Sequence, residues 1–169
     1  MYVDEYKTNN EIDDILITSD GKYLTGLYFD SDIDSTGIRN SYIKCNLEIF
    51  ENTKRWLDIY FGGGIPRFTP EYRIEYKSLF QKEVMDIVSR IPYGDVITYG
   101  EIVKEIARIH HIGKMSARAV GGAINSNPIC IIIPCHRVAG VKGLTGYKSG
   151  IKNKRYLLEL EGNDLEKYK

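Results

Sequence analysis

The sequence predicts an α+β protein made of two small domains, one carrying a sheet and one mainly helical. Three observations carry that expectation. Two β-branched and aromatic runs flank an Asp-Gly turn before residue 30, apolar residues recur at helical spacing from residue 80 onward, and a stretch punctuated by glycine and proline lies between them. At 169 residues, 43% hydrophobic and 27% charged, the chain has the composition of a soluble globular protein. The boundary is expected near residue 75, giving domains 1–75 and 76–169.

Ile15-Leu-Ile-Thr18 and Tyr23-Leu-Thr-Gly-Leu-Tyr-Phe29 enclose Ser19-Asp-Gly-Lys22, the signal of a tight β-hairpin. Residues 30–41 are polar and predict a loose loop, with a further strand at Tyr42–Cys45. Leu47, Phe50, Leu57, Tyr60 and Phe61 then recur at near-helical spacing, and Gly62-Gly-Gly64 ends that helix. Residues 65–74 are bracketed by Pro66 and Pro70 and predict an extended linker.

Phe80, Val84, Ile87, Val88 and Ile91 form the apolar stripe of an amphipathic helix. Pro92-Tyr-Gly-Asp95 breaks it, Val96–Thr98 is extended, and Tyr99–Ala107 is the next helix, with Ile102, Val103 and Ile106 inward. A turn through His110–Lys114 leads to Ser116, a suitable N-cap for a short helix from Ala117 to Asn125. Two short helices joined this way read as a helix-turn-helix. Gly121 and Gly122 lie inside the second, where each costs about 1 kcal/mol relative to alanine. Tight packing on a neighbouring helix and close approach of a nucleic-acid backbone are both adequate reasons. A last helix spans about Lys152 to Glu161.

Several classes are excluded or disfavoured. The longest apolar run, near Ile129–Pro134, is far short of the ~20 residues of a membrane helix. The first residues have neither the basic start nor the apolar stretch of a signal peptide, so a cytoplasmic protein is expected. Three scattered cysteines, at 45, 130 and 135, make no disulfide framework and no metal-ligand spacing, so no metal is expected. Net charge is zero, but residues 1–89 hold 10 Lys+Arg against 16 Asp+Glu while residues 90–169 hold 13 against 7. An excess of positive charge in the second half fits a domain that faces DNA.

The chemistry is concentrated in Asn127-Pro-Ile-Cys-Ile-Ile-Ile-Pro-Cys-His-Arg-Val138. The β-branched run predicts a short buried strand that Pro134 stops, handing the chain to Cys135, His136 and Arg137. A cysteine attacks only as thiolate, and a neighbouring proton acceptor and fixed cation lower its pKa. Strand neighbours point to opposite faces, so Cys135 and His136 cooperate only if the proline turns the backbone or a water bridges them. Cys130, among isoleucines, reads as a small core hydrophobe.

Arg118-Ala-Val-Gly-Gly-Ala123, Asn127-Pro128, Ile133-Pro-Cys-His-Arg-Val138, Gly146-Tyr147 and Leu157-Leu-Glu-Leu-Glu-Gly162 together resemble the methylated-DNA:protein-cysteine methyltransferases, which repair guanine alkylated at O6. The match is collinear from about Phe80 to Gly162. It implies a ribonuclease-H-like N-terminal domain and a winged-helix-like, helix-turn-helix C-terminal domain. It also implies a stoichiometric, irreversible transfer from O6-alkylguanine, and less well from O4-methylthymine, to Cys135. No cofactor is implied, the partner is double-stranded DNA carrying the lesion, and a monomer is expected. Some members carry an N-terminal zinc, but here that region has Cys45 alone and no histidine.

The resemblance also assigns roles. His136 is the base for Cys135 through a water, with Glu161 holding the imidazole. Tyr99 is a hydrogen-bond donor near the extruded guanine. Arg118 fills the hole left in the base stack, with Ala117, Gly121 and Gly122 on the same DNA-facing helix. Asn127 ties that helix to the active-site strand, and Tyr147, Lys148 and Ser149 line the alkyl pocket. Family members often have Tyr-Ser-Gly or Tyr-Arg-Gly there, so Lys148 and Ser149 leave the size of the accepted group open. Arg137 has two readings: lowering the thiol pKa, or a salt bridge to an N-terminal carboxylate. Three competing functions would each leave a different mark. A non-repairing lesion binder would lack Cys135. A cysteine hydrolase would turn over. An alkylation-sensing regulator would carry a further DNA-binding domain.

Overall fold

A computed structural model describes residues 1–9, 11–32, 43–113, 115–141 and 143–168. The chain divides into two compact units: Met1–Ile74 with Pro128–Cys130, and Glu75–Asn127 with Ile131–Lys169.

The first unit is a four-stranded sheet with one long helix. Strands β1 (Tyr2–Tyr6), β2 (Ile15–Ser19), β3 (Leu24–Phe29) and β4 (Ile43–Lys44) lie in the order β3-β2-β1-β4. The hairpin forms as its Asp-Gly turn predicts: β2 pairs antiparallel with β3, Ile15 opposite Phe29 and Ile17 opposite Leu27. All five residues of β2 are buried, because the strand is internal and covered on both faces. Strand β1 carries little apolar signal in the sequence, because Tyr2-Val-Asp-Glu-Tyr6 buries only Val3. It pairs antiparallel with β2 and parallel with β4. Of the expected strand at Tyr42–Cys45, Ile43–Lys44 is seen, while residues 33–42, most of the expected loop and Tyr42, lie outside the described residues. Helix α1 (Glu48–Phe61) places Ile49, Phe50, Trp56, Leu57 and Tyr60 in the core and ends at Gly62.

Residues 65–74 are not the free linker that their prolines suggest. Leu24 on the outer edge of β3 needs backbone partners, and it finds them in the Glu71 carbonyl and the Arg73 N–H, both at 2.9 Å. The strand expected over Ile129–Ile133 is also absent. Only Ile129 forms a bridge, to Leu27, through N–H bonds of 2.8 and 3.0 Å, after which the chain turns with Ile131 at φ 69°.

The second unit is mainly helical. Helix α2 (Leu79–Val88) starts at Ser78, whose Oγ accepts from the Gln81 N–H. Strand β5 (Ile97–Thr98) leads into α3 (Tyr99–His110), where Thr98 and Glu101 form a reciprocal capping box. Helix α4 (Ala117–Asn125) begins at Ser116, which caps the Ala119 N–H as its position predicts. A 3₁₀ turn, Cys135–Arg137, precedes β6 (Val138–Ala139), which pairs parallel with β5. Helix α5 (Gly150–Leu160) and a 3₁₀ turn over Leu165–Tyr168 follow. Val84, Val88, Ile102, Ile106, Val120, Val138 and Leu157 are fully buried between these elements. Among the described residues, no helix is long and apolar enough to cross a membrane.

Candidate active site

Pro134 does what a strand ending cannot. At φ −83° and ψ 64° it forms an inverse γ-turn, closed by the Cys135 N–H to the Ile133 carbonyl at 2.8 Å. The 3₁₀ turn then spreads Cys135, His136 and Arg137 around its axis, so strand alternation no longer sets them on opposite faces. All three are buried.

Asn127 follows the end of α4 and is buried. Its Nδ2 donates to the Ile133 carbonyl at 2.9 Å and to Cys135 Sγ at 3.2 Å. One side chain thus fixes the proline turn and gives the sulfur a donor, an interaction that favours the thiolate.

Glu161, at the C-cap of α5, is the hub of the buried cluster. A carboxylate at a helix end reads by itself as a solvent-exposed group, yet the Glu161 side chain is fully buried. His136 Nε2 lies 2.7 Å from Oε1. Arg137 forks onto the same carboxylate through Nε and NH2, both at 2.9 Å, and its NH1 donates to the Ile91 carbonyl at 2.6 Å. Arg137 therefore pairs with a carboxylate of its own unit. The Gly94 N–H adds a fourth donor at 3.2 Å. Gly94 sits at φ 84°, and a Cβ there would stand 3.2 Å from the Glu161 carbonyl. The Pro92-Tyr-Gly-Asp95 turn, which reads only as a helix breaker, is thus shaped to reach Glu161.

Burial pushes the Glu161 carboxyl up, but the hydrogen bonds from His136 and Arg137 outweigh it and hold the group far below the ordinary carboxylate range. Burial pulls His136 below its ordinary value, against the pull of Glu161. A neutral imidazole facing an ionised carboxylate must carry its proton on Nε2, which leaves Nδ1 as the acceptor nitrogen.

Lys154 is the residue that pattern reading missed. It lies on the apolar stripe of α5 with Leu157 and Leu158, is fully buried, and donates to the carbonyls of Val138 at 2.6 Å and Thr145 at 3.3 Å. Burial lowers its pKa to about 8, opposed by the nearby Cys135. A lysine at a core position of the helix was the available signal.

An open hollow of about 500 Å³ is lined by Tyr99, Ala117, Arg118, Gly121, Gly122, Asn125 and Gly146. Tyr99 donates to the Gly146 carbonyl at 3.1 Å, and burial first, then the proximity of Cys135, push its phenol up. Ala117 and Arg118 are exposed on the first turn of α4. A Cβ at Gly122 would meet nothing within 4 Å, and one at Gly121 only Tyr99 at 3.9 Å. No packing within the described residues demands either glycine. Of the expected pocket residues, Tyr147 is half-buried, Lys148 exposed, and Ser149 buried, with its carbonyl accepting from Asn153 at 2.8 Å. Among the described residues, no group of three or more His, Cys, Asp or Glu is placed to hold a metal.

The chain matches known proteins across this region. Residues 79–163 fit the profile of the 6-O-methylguanine DNA methyltransferase DNA binding domain. The methylated-DNA–protein-cysteine methyltransferase of Methanosarcina acetivorans is 41% identical over 150 residues, covering 88% of this chain and 92% of that protein. The Mycobacterium tuberculosis OGT solved in complex with DNA superposes with a TM-score of 0.79 at 35% identity, covering 95% of this chain and 92% of that one. The O6-methylguanine DNA methyltransferase of Methanococcus jannaschii superposes at 0.62 with 27% identity, covering 98% and 97%.

Proposed function

Because the chain belongs to the 6-O-methylguanine DNA methyltransferase family, we propose that Cys135 is the acceptor to which it passes an alkyl group from O6-alkylguanine in DNA. The activity is that of a methylated-DNA–protein-cysteine methyltransferase, a DNA-repair reaction. The observation that carries the residue assignment is the Asn127 amide on Cys135 Sγ, beside the His136–Glu161 pair. Cys45 is exposed in the first unit, and Cys130 gives its N–H to Leu27.

In the proposed mechanism, the Cys135 proton passes through a water to Nδ1 of His136, whose Nε2–H is held by Glu161. The buried ammonium of Lys154 and the Asn127 amide support the resulting thiolate. Sulfur attacks the alkyl carbon, the carbon–O6 bond breaks, and the departing guanine, hydrogen-bonded by Tyr99, is neutralised by the proton that His136 took from the thiol, relayed through water. The product is a thioether, so each molecule acts once. Cofactors have no step to serve.

The DNA partner is read as a duplex bound along α4, with the lesion base extruded into the hollow. Support comes from the exposed Arg118, the uncrowded Gly121 and Gly122, and the positive balance of residues 90–169. Extrusion costs a few kcal/mol and leaves a gap that Arg118 is suited to fill. Helices α3 and α4 with the β5–β6 pairing support a winged-helix-like reading of the second unit, and β1–β4 with α1 a ribonuclease-H-like reading of the first. The protein is taken to act as a cytoplasmic monomer, with Tyr147, Lys148 and Ser149 near the alkyl group and O4-methylthymine as a poorer substrate.

Mass spectrometry after mixing with duplex DNA containing O6-methylguanine tests this reading. One added methyl is expected on the peptide carrying Cys135, and Cys135→Ser abolishes transfer while retaining DNA binding. A methyl on Cys130, or turnover beyond one equivalent, refutes it.

A further inference from the structure

The segment between β6 and α5 supplies Gly146 to the hollow, yet it contains little regular structure of its own. Its first part is a narrow loop closed by paired backbone bonds between Gly140 and Gly143, at 3.0 and 3.3 Å. What presses on that loop is the 3₁₀ turn Leu165–Tyr168. Leu165 is buried in one cluster with Ala139, Leu144 and Leu158, and Tyr168 packs against it. Gly143 is at φ 136°, and a Cβ on it would stand 2.9 Å from the Tyr168 carbonyl, closer than real contacts allow. The glycine is required by the turn, not by the hairpin alone.

From there the segment is held at successive points. Leu144 sits in the cluster, the Thr145 carbonyl accepts from Lys154, and the Gly146 carbonyl accepts from Tyr99. The anchors on Thr145 and Gly146 are Lys154 and Tyr99, two side chains near enough to Cys135 to feel its charge. A shift of Leu144 therefore moves the acceptors of Lys154 and Tyr99 together.

We propose that the turn Leu165–Tyr168 is a positioning element for alkyl transfer: by clamping Gly143 and Leu144 it sets the pocket wall and, through it, the placement of Lys154 and Tyr99 around Cys135. This rests on the reading of Cys135 as acceptor. None of these residues lies on the exposed face of α4, so the clamp governs the rate of transfer and not the affinity for DNA.

Two variants test it in the full chain. Leu165→Ala withdraws the clamp, and Gly143→Ala forces hairpin and turn apart while leaving the cluster's side chains in place. Each is expected to speed amide hydrogen exchange in the peptide spanning 139–147. Each is expected to slow single-turnover methyl transfer by roughly tenfold or more, as misplacement of reacting groups does, with DNA affinity by fluorescence anisotropy unchanged. Leu165→Met should restore the rate. Unchanged exchange at 139–147, or faster exchange with an unaltered transfer rate, overturns the proposal. Loss of DNA affinity in parallel with rate does so too. If the unsubstituted chain transfers no methyl to Cys135, the acceptor assignment fails, while the exchange measurement still decides whether the clamp exists.

Discussion

Glu161 and the face of α4 lie in the same unit and are built on opposite rules. The carboxylate is buried and receives donors from His136, Arg137 and Gly94. The helix face carries an exposed arginine and two glycines with nearly empty space where side chains would be. A buried ion cluster is tolerated only when every member is satisfied. An open face pays no such penalty, and its residues are free to answer to something outside the protein. Substitutions in the cluster should therefore register as lost stability, and those on the face as lost activity on DNA.

The largest expected effect is Glu161→Gln. It leaves Arg137 buried without its counter-charge, and breaking a buried pair costs about 3–5 kcal/mol. Thermal melts should show a steep drop, and the pH dependence of Cys135 alkylation should change because His136 loses its anchor. The folded pKa of Glu161 is depressed, so its contribution is present above the unfolded carboxylate value and is lost as pH falls through the acid range toward the folded one. The variant should show a flatter acid limb of stability. A melting temperature within a degree of the unsubstituted chain would deny the hub role.

Lys154→Met comes next. With its folded pKa near 8 and its unfolded one higher, the unfolded chain binds more protons between those values, so stability rises with pH across that window. That depression is worth roughly 3 kcal/mol across the window, and the methionine variant should lose that rise. Methyl transfer at pH 7 should fall as well, because the cation beside the thiolate is gone. Denaturant titrations from pH 7 to 11 on both proteins would decide; parallel curves would exclude a buried charge.

What could be read from the sequence follows the same division. The hairpin, α1 and the helices of the second unit were legible because burial imposes a period, and Ser116 because a cap has its own chemistry. Cys135 stands out as a candidate because Pro-Cys-His-Arg is a dense local pattern. The rest depends on partners far apart in the chain. Glu161 looks like any helix-end carboxylate until Gly94, 67 residues away, is seen donating to it. Lys154 looks like a surface lysine until the carbonyls of Val138 and Thr145 are seen around it. The strand assigned to Ile129–Ile133 failed because β-branched composition signals burial, and burial here serves a turn.

Arg118→Ala isolates the exposed face. With no partner among the described residues to strand, the melting temperature should hold, while transfer from duplex DNA slows by about 10–100-fold, the share of extrusion that a few kcal/mol allows. Transfer from the free base O6-benzylguanine should be unaffected, because there is no stack to leave. Equal losses on both substrates would place Arg118 with the structural residues.

The smallest effect, and the sharpest separation of the two rules, comes from Gly122→Ala. A glycine inside a helix costs about 1 kcal/mol relative to alanine, and the added methyl here meets nothing within 4 Å. Considered alone, the protein should gain stability, with a melting temperature a few degrees higher. A DNA backbone or groove floor packed against α4 reverses the sign, because the methyl then occupies space that the ligand needs. Affinity for duplex DNA should fall by several-fold while transfer from the free base stays unchanged. Gly121→Ala, whose methyl would touch Tyr99 at 3.9 Å, serves as the neighbouring control, with a smaller gain in stability. If Gly122→Ala raises the melting temperature and leaves duplex affinity intact, DNA does not approach α4 closely, and the second glycine has no role that this geometry supplies.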